Sequence, residues 1–425
     1  MSAAARSLVP AIAALLLSAW SPLLAQHRVS PAPHPLLVGY FPDWGLNFAQ
    51  PYYVKTLVTN HAAEWLDQIN YSQAAVRNGK CALANPAADL DARFSGQNSV
   101  NGVSDSAHTR FHGNFHQLYE LKRRYPHLKL VISLEGEARD FEQDAQPQYR
   151  SAFVASCVNM FLRGHFAAGI DQPGLFDGID VDWETPGRND AANFEALLRE
   201  FRRQMDAVRR GLLLTVAVDE SPRELAGTDF ATIASLVDQV GIMNYDYVGP
   251  WSSTTGFVAP LFSPDANDFS TIEHSIDGYK AAGVPEKKLL MGLPFYGYGW
   301  SQVEDAGQGL FQEGQGIKQD KPYRHIRRLA QSVPKYRDEQ SQEPWLFDGD
   351  TFWTFEDPVS VRFKVSYAFH QKLGGVMIWE LSGDTEDAEL LSTAYHALHD
   401  PIAAETIAQH KHKKAARNVA ASTRR

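Results

Sequence analysis

Residues 176–184 read FDGIDVDWE, placing Asp177, Asp180, Asp182 and Glu184 within a single short stretch. Like charges this close repel, so the crowding needs a physical reason. Read with the period of a strand, Asp180, Asp182 and Glu184 share one face, while Ile179, Val181 and Trp183 take the other. The apolar face requires a core. The acidic face must then meet solvent or line a pocket.

Working outward, similar apolar runs recur along the chain. They are LLVGYF (Leu36–Phe41), LDQINYS (Leu66–Ser72), LKLVISL (Leu128–Leu134), FDGIDVDWE itself, and LLLTVAV (Leu212–Val218). QVGIMNYD (Gln239–Asp246), KLLMGLPFY (Lys288–Tyr296) and GGVMIWEL (Gly374–Leu381) complete the set. Helical patterns such as NFEALLREFRRQMDAVRRG separate them. Strand–helix alternation repeated in this way predicts an α/β protein, a (β/α)8 TIM barrel over residues 35–400. The irregular stretch of about 298–352 is too long for a barrel loop and predicts a small α+β insertion after strand seven. Residues 401–425, basic and without apolar periodicity, are expected to be a disordered tail.

The composition, 44% apolar and 21% charged with nine Trp, is that of a globular protein. A formal net charge of −10 argues against nucleic acid as a partner, because phosphate binding needs a basic field. Residues 1–25 read as a signal peptide: Arg6 is followed by an apolar run from Leu8 to Trp20 and a small-residue cut site at Ala25. That run is too short and Pro-interrupted to span a membrane. An exported protein, extracellular or periplasmic, is expected, with no membrane partner and as a monomer. Export would allow Cys81 and Cys157 to form a disulfide. Equally, Cys157 sits on an apolar helix face with Phe153, Val154, Val158 and Phe161 and could simply be buried there.

Within a parallel barrel the acidic strand has no solvated edge, and Glu184 falls at its C-terminal end, where barrel active sites lie. A calcium loop starting at Asp180 fails, because Thr185 stands where the turn glycine belongs and Ala191 where the bidentate Glu belongs. No metal and no cofactor are expected. Three carboxylates on one inward face raise at least one pKa and share protons, which supplies a general acid. Glu184, longest and nearest the rim, is the candidate acid, with Asp182 and Asp180 behind it. Asp182 is roughly 6–7 Å from Glu184 along the same strand and cannot attack a sugar from the opposite face. GLPFYGYGW at the end of strand seven offers no carboxylate. In a glycosidase built this way, the nucleophile would be the substrate itself.

DGIDVDWE resembles the D-x-x-D-x-D-x-E signature of glycoside hydrolase family 18, the chitinases and their relatives. Met243-x-Tyr245-Asp246, the strand-eight segment GGVMIWELSGD and VGYFPDW resemble further family segments, and the likeness covers roughly Pro35 to His399. It implies a hydrolase of chitin or N-acetylglucosamine oligosaccharides acting with retention. Glu184 would protonate the leaving oxygen while the substrate's 2-acetamido carbonyl attacks the anomeric carbon, and Asp182 would hold the acetamido N–H. Asp180 would share its proton, and Tyr245 would donate to the acetamido oxygen. Trp379 would form the sugar's floor, Met243 and Asp246 would complete the pocket, and Tyr40 and Ser133 would support Asp180, with Asp177 also in a supporting place.

Two positions depart from the family pattern. Glu135 stands where the family's third strand ends in Gly-Gly, and is expected to point outward. The Arg that follows Tyr-Gly in the family is absent after Tyr298. Trp44, Tyr247, Trp251, Trp300 and Trp353 are candidate stacking platforms, about half of them expected in packing instead, and Trp183 should turn toward the helices. An endo-β-N-acetylglucosaminidase acting on N-glycans and a chitin-binding lectin without catalysis are the alternatives. The intact Met243-x-Tyr245-Asp246 segment favours chitin over the first, and the presence of Glu184 argues against the second.

Overall fold

The acidic run Gly178–Asp182 forms a strand with wholly buried residues, flanked on both sides by parallel neighbours. The computed structural model describes residues 34–411 except 107, 110, 184–185, 223–226 and 264–270. Eight strands close into a parallel barrel: β1 (Leu36–Pro42), β2 (Gln68–Arg77), β3 (Lys129–Glu135), β4 (Gly178–Asp182), β5 (Leu213–Val218), β6 (Gln239–Ile242), β7 (Leu289–Pro294) and β8 (Gly375–Trp379). Each pairs with its successor, and β8 returns to β1 through Leu36↔Gly375 to Gly39↔Ile378. The runs are nearly continuous in Leu, Ile and Val because a barrel strand is covered on both faces, by the filled interior and by the helices. The outer helices show the complementary pattern. In Ala191–Val208, Phe194, Leu197, Leu198, Phe201 and Met205 are buried at helical spacing.

Trp183 turns outward as expected, 2% exposed, stacked on Phe141 at 5.4 Å and edge-on to Phe194. Asp177 is at the opposite end of β4 from the carboxylate face. It accepts hydrogen bonds from Leu130 N (3.0 Å) and Lys122 Nζ (2.7 Å), with Arg209 at 3.6 Å. Its support is therefore to strand and helix packing at the N-terminal end of β4, away from Asp180 and Asp182.

The chain leaves β7 directly into a five-stranded antiparallel sheet, ordered Gln315–Pro322, Tyr296–Ser301, Phe352–Phe355, Pro344–Phe347, Lys335–Arg337, with the helix Tyr323–Leu329 beside it. A second small core joins Trp300, Val303, Trp345, Phe347 and Phe352 of this subdomain to Phe257 of the segment between β6 and β7.

Part of the tail is ordered. Residues 404–411 are helical, Ile407 is buried, and Ile402 N donates to Ser366 Oγ at 2.9 Å. His410 meets the Phe363 ring edge-on at 5.1 Å, and Lys411 Nζ lies 2.6 Å from Glu273 Oε1. Residues 401–411 therefore dock on the barrel, contrary to the disordered tail expected from their charge. One apolar side chain per turn is enough when a prepared surface receives it. Residues 412–425 and the expected signal peptide lie outside the described residues.

Cys81, on a short hairpin strand (Lys80–Leu83) paired to the end of β2, is bonded to Cys157 at the end of the helix Arg150–Cys157. The bridge closes a loop of 76 positions. Such closure removes chain entropy from the unfolded state, on the order of 4 kcal/mol at this length. Replacing both residues (Cys81→Ser with Cys157→Ser) should lower unfolding free energy by a large part of that in urea titrations. A change below about 1 kcal/mol would show that residual structure in the unfolded chain already holds the two segments together.

Candidate active site

Side-chain alternation on β4 sends Asp180 and Asp182 into the barrel mouth, as the sequence requires. Asp180, 1% exposed, is held by three hydroxyls: Tyr40 OH (2.8 Å) and Ser133 Oγ (3.0 Å) donate to Oδ2, and Thr215 Oγ1 donates to Oδ1. These come from β1, β3 and β5, so neighbours on both sides of β4 converge on one carboxylate. Burial raises the Asp180 pKa, and the donated hydrogen bonds only partly offset it. The Tyr40 hydroxyl is pushed far above its usual range, first by burial and then by Asp180 and Asp182. The sequence pointed to Tyr40 and Ser133. It missed Thr215, although a lone hydroxyl at an inward position of LLLTVAV was the available signal.

Above this layer lies a cavity of about 330 Å³. Tyr40, Asp182, Met243, Tyr245, Asp246 and Trp379 all line it, so residues widely separated in sequence meet as expected. Trp379 packs 5.3 Å from Tyr40 and 6.3 Å from Trp44. Tyr245 stands edge-on to Tyr296 at 6.0 Å. Its approach to β7 depends on Gly292, where an added Cβ would lie 3.0 Å from Tyr245 Cε1 and 2.4 Å from Ile242 O. Asp246 adopts a left-handed backbone (φ 64°), a conformation Asp tolerates, and accepts from Tyr296 OH at 2.5 Å. Burial raises the Asp246 pKa, against the hydrogen bonds from Tyr296 and Tyr298. Glu184 lies outside the described residues. Among the described residues no group of three or more His, Cys, Asp or Glu is placed to hold a metal ion.

The cavity also contains acids that strand-end reasoning overlooked: Asp219 and Glu220 just past β5, and Asp320 from the inserted sheet. Asp219 and Glu220 were legible, because VAVDE ends a barrel strand just as VDWE does. Asp320, Tyr296 and Tyr298 arrive through antiparallel pairing in the insertion, which sequence periodicity does not specify.

Glu135 does not point outward. It ends β3 in register with Asp182, lines the cavity, and accepts from Ser72 Oγ at 2.5 Å. The parity of β3 explains this, since Ser133 and Glu135 share the inward face. A carboxylate there raises the pKa of neighbouring acids by like-charge repulsion. Glu135→Gln keeps an acceptor for Ser72 and removes the charge. It should shift the alkaline limb of the pH–rate profile to lower pH, on the order of half a unit. An unmoved limb would mean that Glu135 is screened from the acid.

Trp300 is not a platform. It is fully buried in the inserted core, edge-on to Phe352, and its Nε1 donates to Ser252 O at 2.9 Å. Trp353 is 8% exposed, with Lys321 Nζ 4.7 Å from its ring centroid. Tyr247 packs against the core and its hydroxyl accepts from Asn244 Nδ2. Trp251 is 64% exposed and edge-on to Tyr298 at 5.4 Å, and the Trp44 ring lies 6.3 Å from that of Trp379.

A closed parallel barrel with a carboxylate strand opening into an aromatic-floored cleft is an architecture of the glycosidase type. The chain belongs to the family of glycosyl hydrolases family 18, whose model matches residues 36–384. It is 30% identical over 383 residues to Chitinase 63 of Streptomyces plicatus, covering 85% of this chain and 61% of that protein. The chain spans 61%, 58% and 56% of the lengths of three curated relatives it matches. The catalytic domain of psychrophilic chitinase B from Arthrobacter TAD20 superposes with a TM-score of 0.80 at 28% identity, covering 87% of this chain and 96% of that one. A family 18 N-acetylglucosaminidase from Paenibacillus barengoltzii gives a TM-score of 0.69 at 27% identity, covering 85% and 99%.

Proposed function

We propose that this protein hydrolyses β-1,4-linked N-acetylglucosamine polymers with retention, using the substrate's own 2-acetamido group as nucleophile. One observation carries the reading: Asp180, locked by Tyr40, Ser133 and Thr215, lies two residues before Asp182 on β4, and Asp182 lines a cavity together with Tyr245 and Trp379. A sugar resting on the Trp379 ring presents its acetamido group to the carboxylates and the Tyr245 hydroxyl. Because burial favours the protonated form of Asp180, that residue can lend a proton to, or take one from, Asp182 as charge develops. Asp182 accepts from the acetamido N–H and stabilises the positive oxazolinium ring that forms. Tyr245 donates to the acetamido oxygen and fixes its direction of attack. Glu184 delivers its proton to the glycosidic oxygen and then, as carboxylate, activates the water that opens the ring.

No helix among the described residues is long and apolar enough to cross a membrane, and the apolar run behind Arg6 supports export. The relatives named as chitinases support chitin over N-glycans as substrate. Product analysis on chitin oligomers of increasing length tests the reading. Shorter N-acetylglucosamine oligomers are expected. Tight binding of intact oligomers with no product at any length would favour the lectin alternative.

A further inference from the structure

Between the loop after β1, the helix Tyr323–Leu329 and the loop after β8 lies a second cavity of about 480 Å³, which shares no lining residue with the cleft. Arg324, Arg327 and Arg328 line it, brought to one face of the helix by their spacing. Their charges are not equally satisfied. Arg327 Nε lies 3.1 Å from Glu389 Oε2. Among the described residues, neither Arg324 nor Arg328 has a carboxylate within ion-pair distance. Arg324 Nη1 is sealed from solvent with no hydrogen-bond partner. The Arg324 guanidinium lies 5.8 Å from the Phe48 ring centroid, a contact that satisfies none of its N–H groups.

Of the acids nearby, Asp384 and Glu380 are already committed, while Glu386, exposed, also lines the cavity. Asp384 accepts from the backbone N–H of Thr385, Leu390 and Leu391 at the start of the helix Glu389–His399. Glu380 attracts Arg324 through space, but its oxygens hold Ser382 N (2.8 Å) and Oγ (2.6 Å). Tyr52, Thr56 and Thr385 add hydroxyl-bearing side chains to the lining. A guanidinium N–H sealed from water without a partner is costly, and the planar fork of the half-buried Arg324 matches an oxyanion in a bidentate arrangement.

We propose that this cavity is a binding site for a carboxylate, sulfate or phosphate group, with Arg324 as the bidentate partner and Arg328 as the second cation. The cavity adjoins the cleft along two loops. Trp44, its ring tilted 6.3 Å from that of Trp379, and Phe48 belong to one loop, and Trp379 leads into Ser382 in the other. An acidic group carried on a sugar chain could therefore reach it, as could a free inorganic anion.

The test is titration calorimetry on the full chain at constant ionic strength, with inorganic phosphate, sulfate and glucuronate as probes. Saturable binding with Kd on the order of 1 mM or tighter is expected for at least one probe. Arg324→Gln and Arg328→Gln should each weaken it on the order of tenfold or more. Arg199→Gln, on the surface beside Glu195, should leave it unchanged. Stronger binding of glucuronate than of phosphate and sulfate assigns the site to a sugar-borne acid, and the reverse order assigns it to a free anion. Arg328 is exposed, so its variant reports even if Arg324→Gln folds poorly. Chitin-oligomer turnover measured on the same variants should not change, which separates failure of this site from failure of the proposed activity. Absence of saturable binding by every probe, or binding indifferent to both substitutions, overturns the proposal.

Discussion

Glu184→Gln should lower turnover of chitin oligomers on the order of 10²–10⁴-fold while leaving oligomer binding close to that of the unaltered protein. Alternation in VDWE predicts Glu184 on the face of Asp180 and Asp182, and Trp183, the residue before it, packs outward as that alternation requires. In the proposed mechanism the substitution removes the proton donor but leaves the Trp379 floor and the Asp182 and Tyr245 contacts. The loss should therefore fall on kcat rather than on affinity. A matching rise in Kd would point to a binding role, and unchanged turnover would mean that another acid of the cavity protonates the leaving group. The pH profile separates these cases, because the alkaline limb should disappear in the variant only if Glu184 is the group that titrates.

What the sequence disclosed and what it hid divide along a physical line. Barrel strands announce themselves because burial on both faces demands unbroken apolar runs, and each of the runs named at the outset overlaps the corresponding strand, although β2 continues five residues past its run to Arg77. The inward positions on those runs were also legible by alternation, which is why Asp180, Asp182 and Ser133 fall where expected. The same rule applied to KLVISLE would have turned Glu135 inward beside Ser133. The inserted sheet was harder. Tyr296, Tyr298 and Trp300 share parity in YGYGW, yet the tyrosines line the cleft and the tryptophan enters a separate core. The strand leaves the barrel as it runs, with an irregular register near Gly297 and Gly299, so its face is covered by different neighbours along its length. Periodicity gives the face of a strand, not what covers it. Thr215 shows the converse: a buried hydroxyl in an apolar run is explained only by the carboxylate it serves.

A substrate carrying hydroxyl in place of the 2-acetamido group at the cleaved sugar should not be hydrolysed, whatever its affinity, and the sugar first released from the natural oligomer should retain the β configuration. The structure makes this a sharper test than the sequence did, because Glu135, Asp219, Glu220, Asp246 and Asp320 all reach the cavity and each is a formal candidate for an enzyme nucleophile. Several are poorly suited. Glu135 is tied to Ser72 and stands on the strand next to Asp182, in register with it. Asp246 is held by Tyr296, and burial raises its pKa, so a larger fraction is neutral and non-nucleophilic than for an exposed carboxylate. Asp320 is shifted the same way by burial. An attacking carboxylate in a retaining site must also lie about 5–5.5 Å from the acid across the scissile bond, whereas water-mediated inversion needs a wider separation of about 6.5–9.5 Å. The acetamido oxygen has neither constraint, since it is carried to the anomeric carbon by the substrate and needs only the direction that Asp182 and Tyr245 impose. Efficient cleavage of the hydroxyl analogue with retention would transfer the nucleophile's role to one of these carboxylates. An inverted first product would transfer it to water.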